Sequence, residues 1–267
     1  MKLSKPFLLS CIVFFTISAI AHEFWIAPSQ FKVRSKQVFN FNCFVGEDFQ
    51  PTVWANRKER TLKVRTFHNN SIKDMTNAFV KVNDQPISMI LNESGNHLIA
   101  LESKASYIEM KAAAFNEYLK EDGMLNILDY RVNNHLDKKD SREFYQRCAK
   151  SLIQVDGKND SSYKIHTGMA LEIIPQSNPY LLGSDSLDVY FEFKGKPLSN
   201  YQVRTWCKKN GKLIVKSFHT TNNEGFAKLP IKQKGEWMIS LVKMEMVQQP
   251  SKADYESFWG SYTFTNE

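Results

Sequence analysis

QVRTWCKKNGKLIVKSFHT, residues 202–220, reads as two strands joined by a two-residue turn. Asn210-Gly211 is the deciding pair, because both residues tolerate the positive φ that a tight hairpin needs at its two central positions. The next stretch, residues 220–241 (TTNNEGFAKLPIKQKGEWMISL), continues as turn, strand, turn, strand. Working back toward the N-terminus, residues 170–174 and 187–193 read as further short strands, the second alternating in polarity. This rhythm suits a small β-sandwich of about seven strands.

The earlier half is also mainly β. Residues 37–45 (QVFNFNCFV) and 61–67 (TLKVRTF) alternate with the period of two that marks a half-buried strand. Residues 78–92 read as a hairpin around turn residues 83–86, and 97–101 and 107–110 as further strands. The period then changes. Residues 111–132 have helical spacing interrupted by Gly123, and in 140–152 Phe144, Cys148 and Leu152 recur every four residues behind Asp140 or Ser141 as an N-cap. The polar, turn-rich 156–164 (DGKNDSSYK) reads as a linker. The expected organisation is therefore an N-terminal β-sandwich-like domain, 22–160, with a helical insert at about 111–152, and a C-terminal β-sandwich, 165–267.

Residues 1–21 have the pattern of a secretory signal peptide. Lys2 and Lys5 precede an apolar run from Phe7 to Ile20, and Ala19-Ile20-Ala21 offers a small-x-small cleavage site. The run falls short of the about 20 residues that a membrane span needs. Cys11 sits inside the run, with most of it still to come, so a lipid anchor there is disfavoured. Cleavage after Ala21 makes His22 the first residue and takes the formal charge from +7 to +5, since Lys2 and Lys5 leave with the leader. The densest basic stretch, 57–65 (RKERTLKVR), reads as a solvated strand edge rather than a nucleic-acid module. Cys43, Cys148 and Cys207 remain; an odd number in an oxidising compartment allows one bridge, such as Cys43–Cys148, or three buried thiols.

Several stretches recur together in a known arrangement. They are HEFWIAP (22–28), VGEDF (45–49), FNEYLKEDG (115–123), AKSL (149–152), LEIIP (171–175) with Asn178-Pro179-Tyr180, GKPL (195–198), Gly235-Glu236-Trp237 and SFWGSYTF (257–264). In this order they resemble domain-of-unknown-function family 4198, secreted bacterial proteins often labelled periplasmic components of cobalt or nickel uptake. The resemblance implies a C-terminal sandwich of transthyretin-like or immunoglobulin-like type, a periplasmic location and dealings with a transition metal. Relatives often carry a His just before the Met of the strand after Gly-x-Trp; this chain has Lys243 in that place.

A freed His22 offers an imidazole and an α-amine, both of which lose their protons near neutral pH. Two nitrogens on one residue suit Cu(II), Ni(II) or Co(II), with copper first in intrinsic affinity. The other histidines are His68, His97, His135, His166 and His219, and none is spaced for local chelation. His97, on an expected strand of the same domain, and His166, just past the linker, are the expected partners of His22. Met238, Met244 and Met246 share a strand parity that would suit Cu(I), although same-face methionines more often fill a core.

Enzyme signatures are missing: the chain has no GxSxG elbow, HExxH, phosphate loop or dinucleotide fingerprint. The expectation is a non-enzymatic secreted binding protein for a transition-metal ion or metal complex, working with a membrane transporter. The alternatives are a sandwich interaction module without metal and, more remotely, a copper-dependent oxidase.

Overall fold

The computed structural model describes residues 22–82, 84–182, 185–248 and 252–267; the expected leader, 1–21, lies outside the described residues. Up to residue 155 the strands are β1 (Glu23–Pro28), β2 (Lys32–Val33), β3 (Val38–Gly46), β4 (Thr52–Val53), β5 (Thr61–His68), β6 (Ser71–Asp74), β7 (Ile87–Ile90), β8 (Gly95–Ser103), β9 (Ser106–Met110) and β10 (Ser141–Val155). The helices are α1 (Arg57–Arg60), α2 (Thr76–Lys81), α3 (Ala112–Glu121) and α4 (Leu125–Asn133). A 3-10 turn at Ser161–Lys164 leads into β11 (Leu171–Pro175), β12 (Ser186–Phe193), β13 (Lys196–Pro197), β14 (Gln202–Lys209), β15 (Lys212–Thr220), β16 (Phe226–Pro230), β17 (Glu236–Met246) and β18 (Tyr255–Thr265).

The fold is mainly β and is organised around one ten-stranded sheet in the order β15-β14-β17-β18-β10-β8-β5-β6, with β2 and β9 also paired to β10. Strands from both sides of the turn at 156–164 meet in it, because β10 pairs in parallel with β18 over Glu143–Ser151 and Tyr255–Thr263. The expected hairpin is present: Asn210 and Gly211 have φ of 51° and 73°, and Lys209 faces Lys212 across the turn.

Both faces of this sheet are covered. Against one face lies the sheet of β11, β12, β13 and β16, whose Ile173, Leu187 and Phe191 pack on Leu98, Leu152, Ile239 and Tyr262. The sandwich of the C-terminal strands thus also takes core side chains from β5, β8 and β10. The opposite face is shared. Over β5, β8 and β10 sit β1, β3 and β7, with Phe24, Ile26 and Phe41 against Val64, Ile99 and Ile153. Over β17 and β18 sit α3 and α4, with Phe115, Tyr118, Leu119 and Ile127 against Val242, Met244 and Trp259. Alternation within one strand serves both layers: Ile239 and Leu241 of β17 enter the first core, Val242 and Met244 the second. Helix α4 has no side-chain N-cap. That omission costs about 1 kcal/mol, less than the about 1.5–3 kcal/mol contributed by burying a single large apolar side chain.

The helical insert is shorter than expected. Helices occupy 112–121 and 125–133, but residues 141–155 are strand β10, not helix. Phe144, Cys148 and Leu152 recur every four residues, and that spacing fits an α-helical stripe and one face of a strand equally well. Charged residues around them are buried, which hides the strand. Glu143 accepts hydrogen bonds from Tyr118 and Ser257, Lys150 pairs with Glu172, and the Arg147 guanidinium lies 5.3 Å from the centre of the Phe24 ring. A strand covered on both faces shows no polar-out alternation. Asp140, expected to open a helix here, closes the start of α3 instead, its Oδ1 accepting from the Ala112 N–H at 3.0 Å.

Two local expectations also change. Residues 76–81 form α2, and β7 pairs with β3 rather than with a hairpin partner. Cys43, Cys148 and Cys207 are free and buried. Cys43 lies in the core beneath β1 and β3 and Cys148 in the core on the other face, so the sheet separates the two thiols and no bridge joins them. Burial pushes each of the three thiols up to about 12, which keeps them protonated and unreactive.

Candidate functional site

The start of β1 opens into a cavity of about 300 Å³ lined by His22 and Glu23. Strand β1 is held there by antiparallel pairing to β3, Glu23 opposite Gly46, and by the Thr263 hydroxyl, which donates to the Ile26 carbonyl at 2.7 Å. The facing wall comes from the β3–β4 turn, with Glu47 and Asp48, and from the end of α3, with Glu121 and Asp122. The floor is Arg204 and Trp206 of β14, with Lys216 and Phe218 of β15 at the side.

Arg204 organises the cavity. Its Nη1 lies 2.9 Å from Glu23 Oε1 and also bonds Asp122 Oδ1, and all three side chains are buried. The guanidinium carbon sits 5.5 Å from the Trp206 ring centre and 6.0 Å from that of Trp259, so aromatic faces complete its surroundings. Burial raises the Asp122 carboxyl to about 6 against the opposing pull of Arg204, with Glu23 adding to the rise. Asp48 is paired with Lys216. Glu47 and Glu121 have no ion-pair partner among the described residues, so five carboxylates face two cations around His22.

Gly46 sets the turn that carries Glu47 and Asp48. A Cβ there would stand 1.8 Å from the Gln50 carbonyl oxygen, a backbone atom that cannot swing aside. Gly46→Ala is therefore expected to displace this wall and to destabilise the protein by about 1–3 kcal/mol, the usual range for forced overpacking. Urea unfolding measures this, and a variant as stable as wild type would show that the turn is not tightly held.

The three expected ligand histidines lie in three different surroundings. His22 is half-buried at the cavity. His97 is stacked on His68, ring centres 4.1 Å apart and planes 6° from parallel, and its Nε2 donates to the Glu93 carbonyl at 2.8 Å. Burial lowers its pKa, which favours the neutral ring. Parallel rings send their nitrogen lone pairs into parallel planes, so His68 and His97 do not converge on one ion. His166 is exposed and pairs with Glu192 at 3.0 Å. His135 is exposed, and His219 meets the Thr205 hydroxyl at 3.1 Å. Among the described residues no group of three or more His, Cys, Asp or Glu is placed to hold a metal ion. Met238 and Met244 are buried in separate clusters while Met246 is 44% exposed, so the methionines form no common site.

Sequence reasoning missed Arg204, Asp122 and Glu47. Three stretches behind the family resemblance, beginning at His22, Val45 and Phe115, meet at this cavity, and that shared membership was the available signal. The Domain of unknown function (DUF4198) family model matches residues 19–245. The chain belongs to the DUF4198 family. No curated protein matches it. Among solved structures, the D0-D1 domain of Intimin is similar at 11% identity, covering 92% of this chain and 99% of that one, with a TM-score of 0.21. The three N-terminal domains of the bacteriophage RB49 outer capsid protein Hoc align at 7% identity over 92% of this chain and 70% of theirs, with a TM-score of 0.22. Scores this low carry no argument about function. The description of DUF4198 names no activity, so the chemistry of the cavity around His22 has to speak for itself.

Proposed function

We propose that this DUF4198 chain is an exported, periplasmic binding protein that takes a transition-metal ion or metal complex at the His22 cavity and hands it to a membrane transporter. The supporting observation is the imbalance of five carboxylates over two cations beside residue 22. Removal of residues 1–21 would add an α-amine to the His22 imidazole. Those two nitrogens are donors of the kind that Cu(II) and Ni(II) accept, and the carboxylates lining the cavity, Glu47 and Glu121 among them, would offset the charge of the ion. His97 and His166 are engaged elsewhere and have no part in this reading.

Calorimetric titration of the exported protein with Cu(II), Ni(II) and Co(II) tests it. Wild type is expected to bind one of these ions saturably, and His22→Ala to weaken that binding at least about tenfold, equivalent to about 1.4 kcal/mol. A variant that binds as tightly as wild type overturns the assignment. Mass spectrometry of the exported form supplies the second check, because any first residue other than His22 removes the chelating amine.

A metal-free interaction module is the alternative, and one observation favours it. Strand β15 is an outer edge, bonded among the described residues only to β14, and it leaves Ile214 and Phe218 44% and 55% exposed. Such an edge is open to an added strand from a partner. Under this reading the metal titrations give no saturable heat.

A further inference from the structure

A second cleft follows the first along β14 and β15: Arg204 and Phe218 line the His22 cavity, while Gln202 and Thr220 line a cleft of about 530 Å³ at the end of the central sheet. Its character is the reverse. Its other walls are Gly123 of the α3–α4 turn, Asn126 at the start of α4 and residues 197–201, with Asn200 and Tyr201, and among the described residues no carboxylate lines it. Among the described residues the one charged side chain in its lining is Lys243 of β17. From the pairing of Arg204 with Ser240, Lys243 falls opposite Tyr201, just before β14 begins, where the sheet gives it no covering strand partner on that side.

The Lys243 ammonium has no ion-pair partner among the described residues, although the Glu245 charge favours it from a distance. It lies 5.3 Å from the centre of the Tyr201 ring and 5.9 Å from that of Phe193. Glu245, two residues on, is engaged by Lys194 at 2.8 Å, and Lys194 itself repels Lys243. Burial, the larger effect, pulls the Lys243 pKa below its ordinary value. A half-buried ammonium is costly unless something compensates it, and aromatic faces compensate only in part. The amides of Gln202 and Asn126 add hydrogen-bond donors to the same walls.

We propose that this cleft binds a small ligand through an oxyanionic group, carboxylate or phosphate, with Lys243 as its principal contact. The inference does not depend on the cation reading of the His22 cavity.

Titration of the exported protein with inorganic phosphate and, separately, with citrate, both at constant ionic strength in chloride, tests it. Wild type is expected to bind at least one of the two saturably, and the preferred probe identifies the oxyanion. Lys243→Met keeps the aliphatic stem over Phe193 and Tyr201. It should weaken binding about tenfold or more, the value of one charge-assisted hydrogen bond. Lys243→Arg, which restores the charge, should stay within a few-fold of wild type and guards against a folding artefact. The proposal is overturned if neither anion binds wild type saturably, or if Lys243→Met binds as well as wild type.

Discussion

Replacing Arg204 by Met is expected to cost about 3–5 kcal/mol of folding stability, the usual consequence of removing one member of a buried ion group. The loss comes from what is left behind. Glu23 is 6% exposed and Asp122 9% exposed, and both rely on the same guanidinium. Methionine fills much of the space between Trp206 and Trp259, so little of the cost is a cavity. The triple variant Glu23→Gln, Asp122→Asn, Arg204→Met removes the stranded charges as well and should recover most of the stability. Urea unfolding at neutral pH reads both. A loss below about 1 kcal/mol in the single variant, the range of an exposed surface pair, would falsify the view that this triad is a buried unit. The same variant bears on function, because Glu23 adjoins His22 and its pairing with Arg204 holds the start of β1 against the cavity.

The second large effect concerns Glu143 and pH. This carboxyl is fully buried beneath α3, where it accepts from the Tyr118 hydroxyl at 3.1 Å and from Ser257. Its Oε2 has no partner. Burial lifts it from the ordinary 4.5 to about 7, against the two hydrogen bonds that favour the charged form. The folded state therefore holds a proton that the unfolded chain has released between those values, and stability falls as pH rises through that window. The difference corresponds to about 3 kcal/mol lost between pH 4.5 and pH 8. Asp122, lifted from 3.8 to about 6, acts in the same direction. His97 and His219, whose pKa values burial lowers, act in the opposite one. Glu143→Gln isolates the group: its carbonyl still accepts from Tyr118 and Ser257, and nothing remains to ionise. Its advantage over wild type should grow by about 2–3 kcal/mol from pH 5 to pH 8. Parallel stability curves for the two proteins would show that Glu143 does not change its protonation on folding in this range.

The two effects are linked through α3. Tyr118 touches Glu143, and Asp122 at the end of the same helix touches Arg204. The helix thus carries one buried acid contact into the core beneath it and another into the His22 cavity.

Much of this molecule could be read from local chemistry. The Asn210-Gly211 turn, the alternation of β3 and β12 and the helix at 112–121 all follow from signals within a few residues, because turn φ angles and side-chain periodicity are local properties. The family, too, was visible in short stretches spread along the chain. What needed the tertiary structure was every statement about partners. A strand such as β10, covered on both faces, loses the alternation that would announce it, and its buried Glu143, Arg147 and Lys150 find compensation only in residues far along the chain. Cys43 and Cys148 looked pairable until the central sheet came between them. His22 could be singled out from the cleavage pattern, but the carboxylates around it come from β1, the end of α3 and the turn between β3 and β4, and Arg204 arrives from β14. Sheet pairing joins residues more than a hundred positions apart, as in Gln154 with Lys32, and no local period encodes which strand becomes whose neighbour.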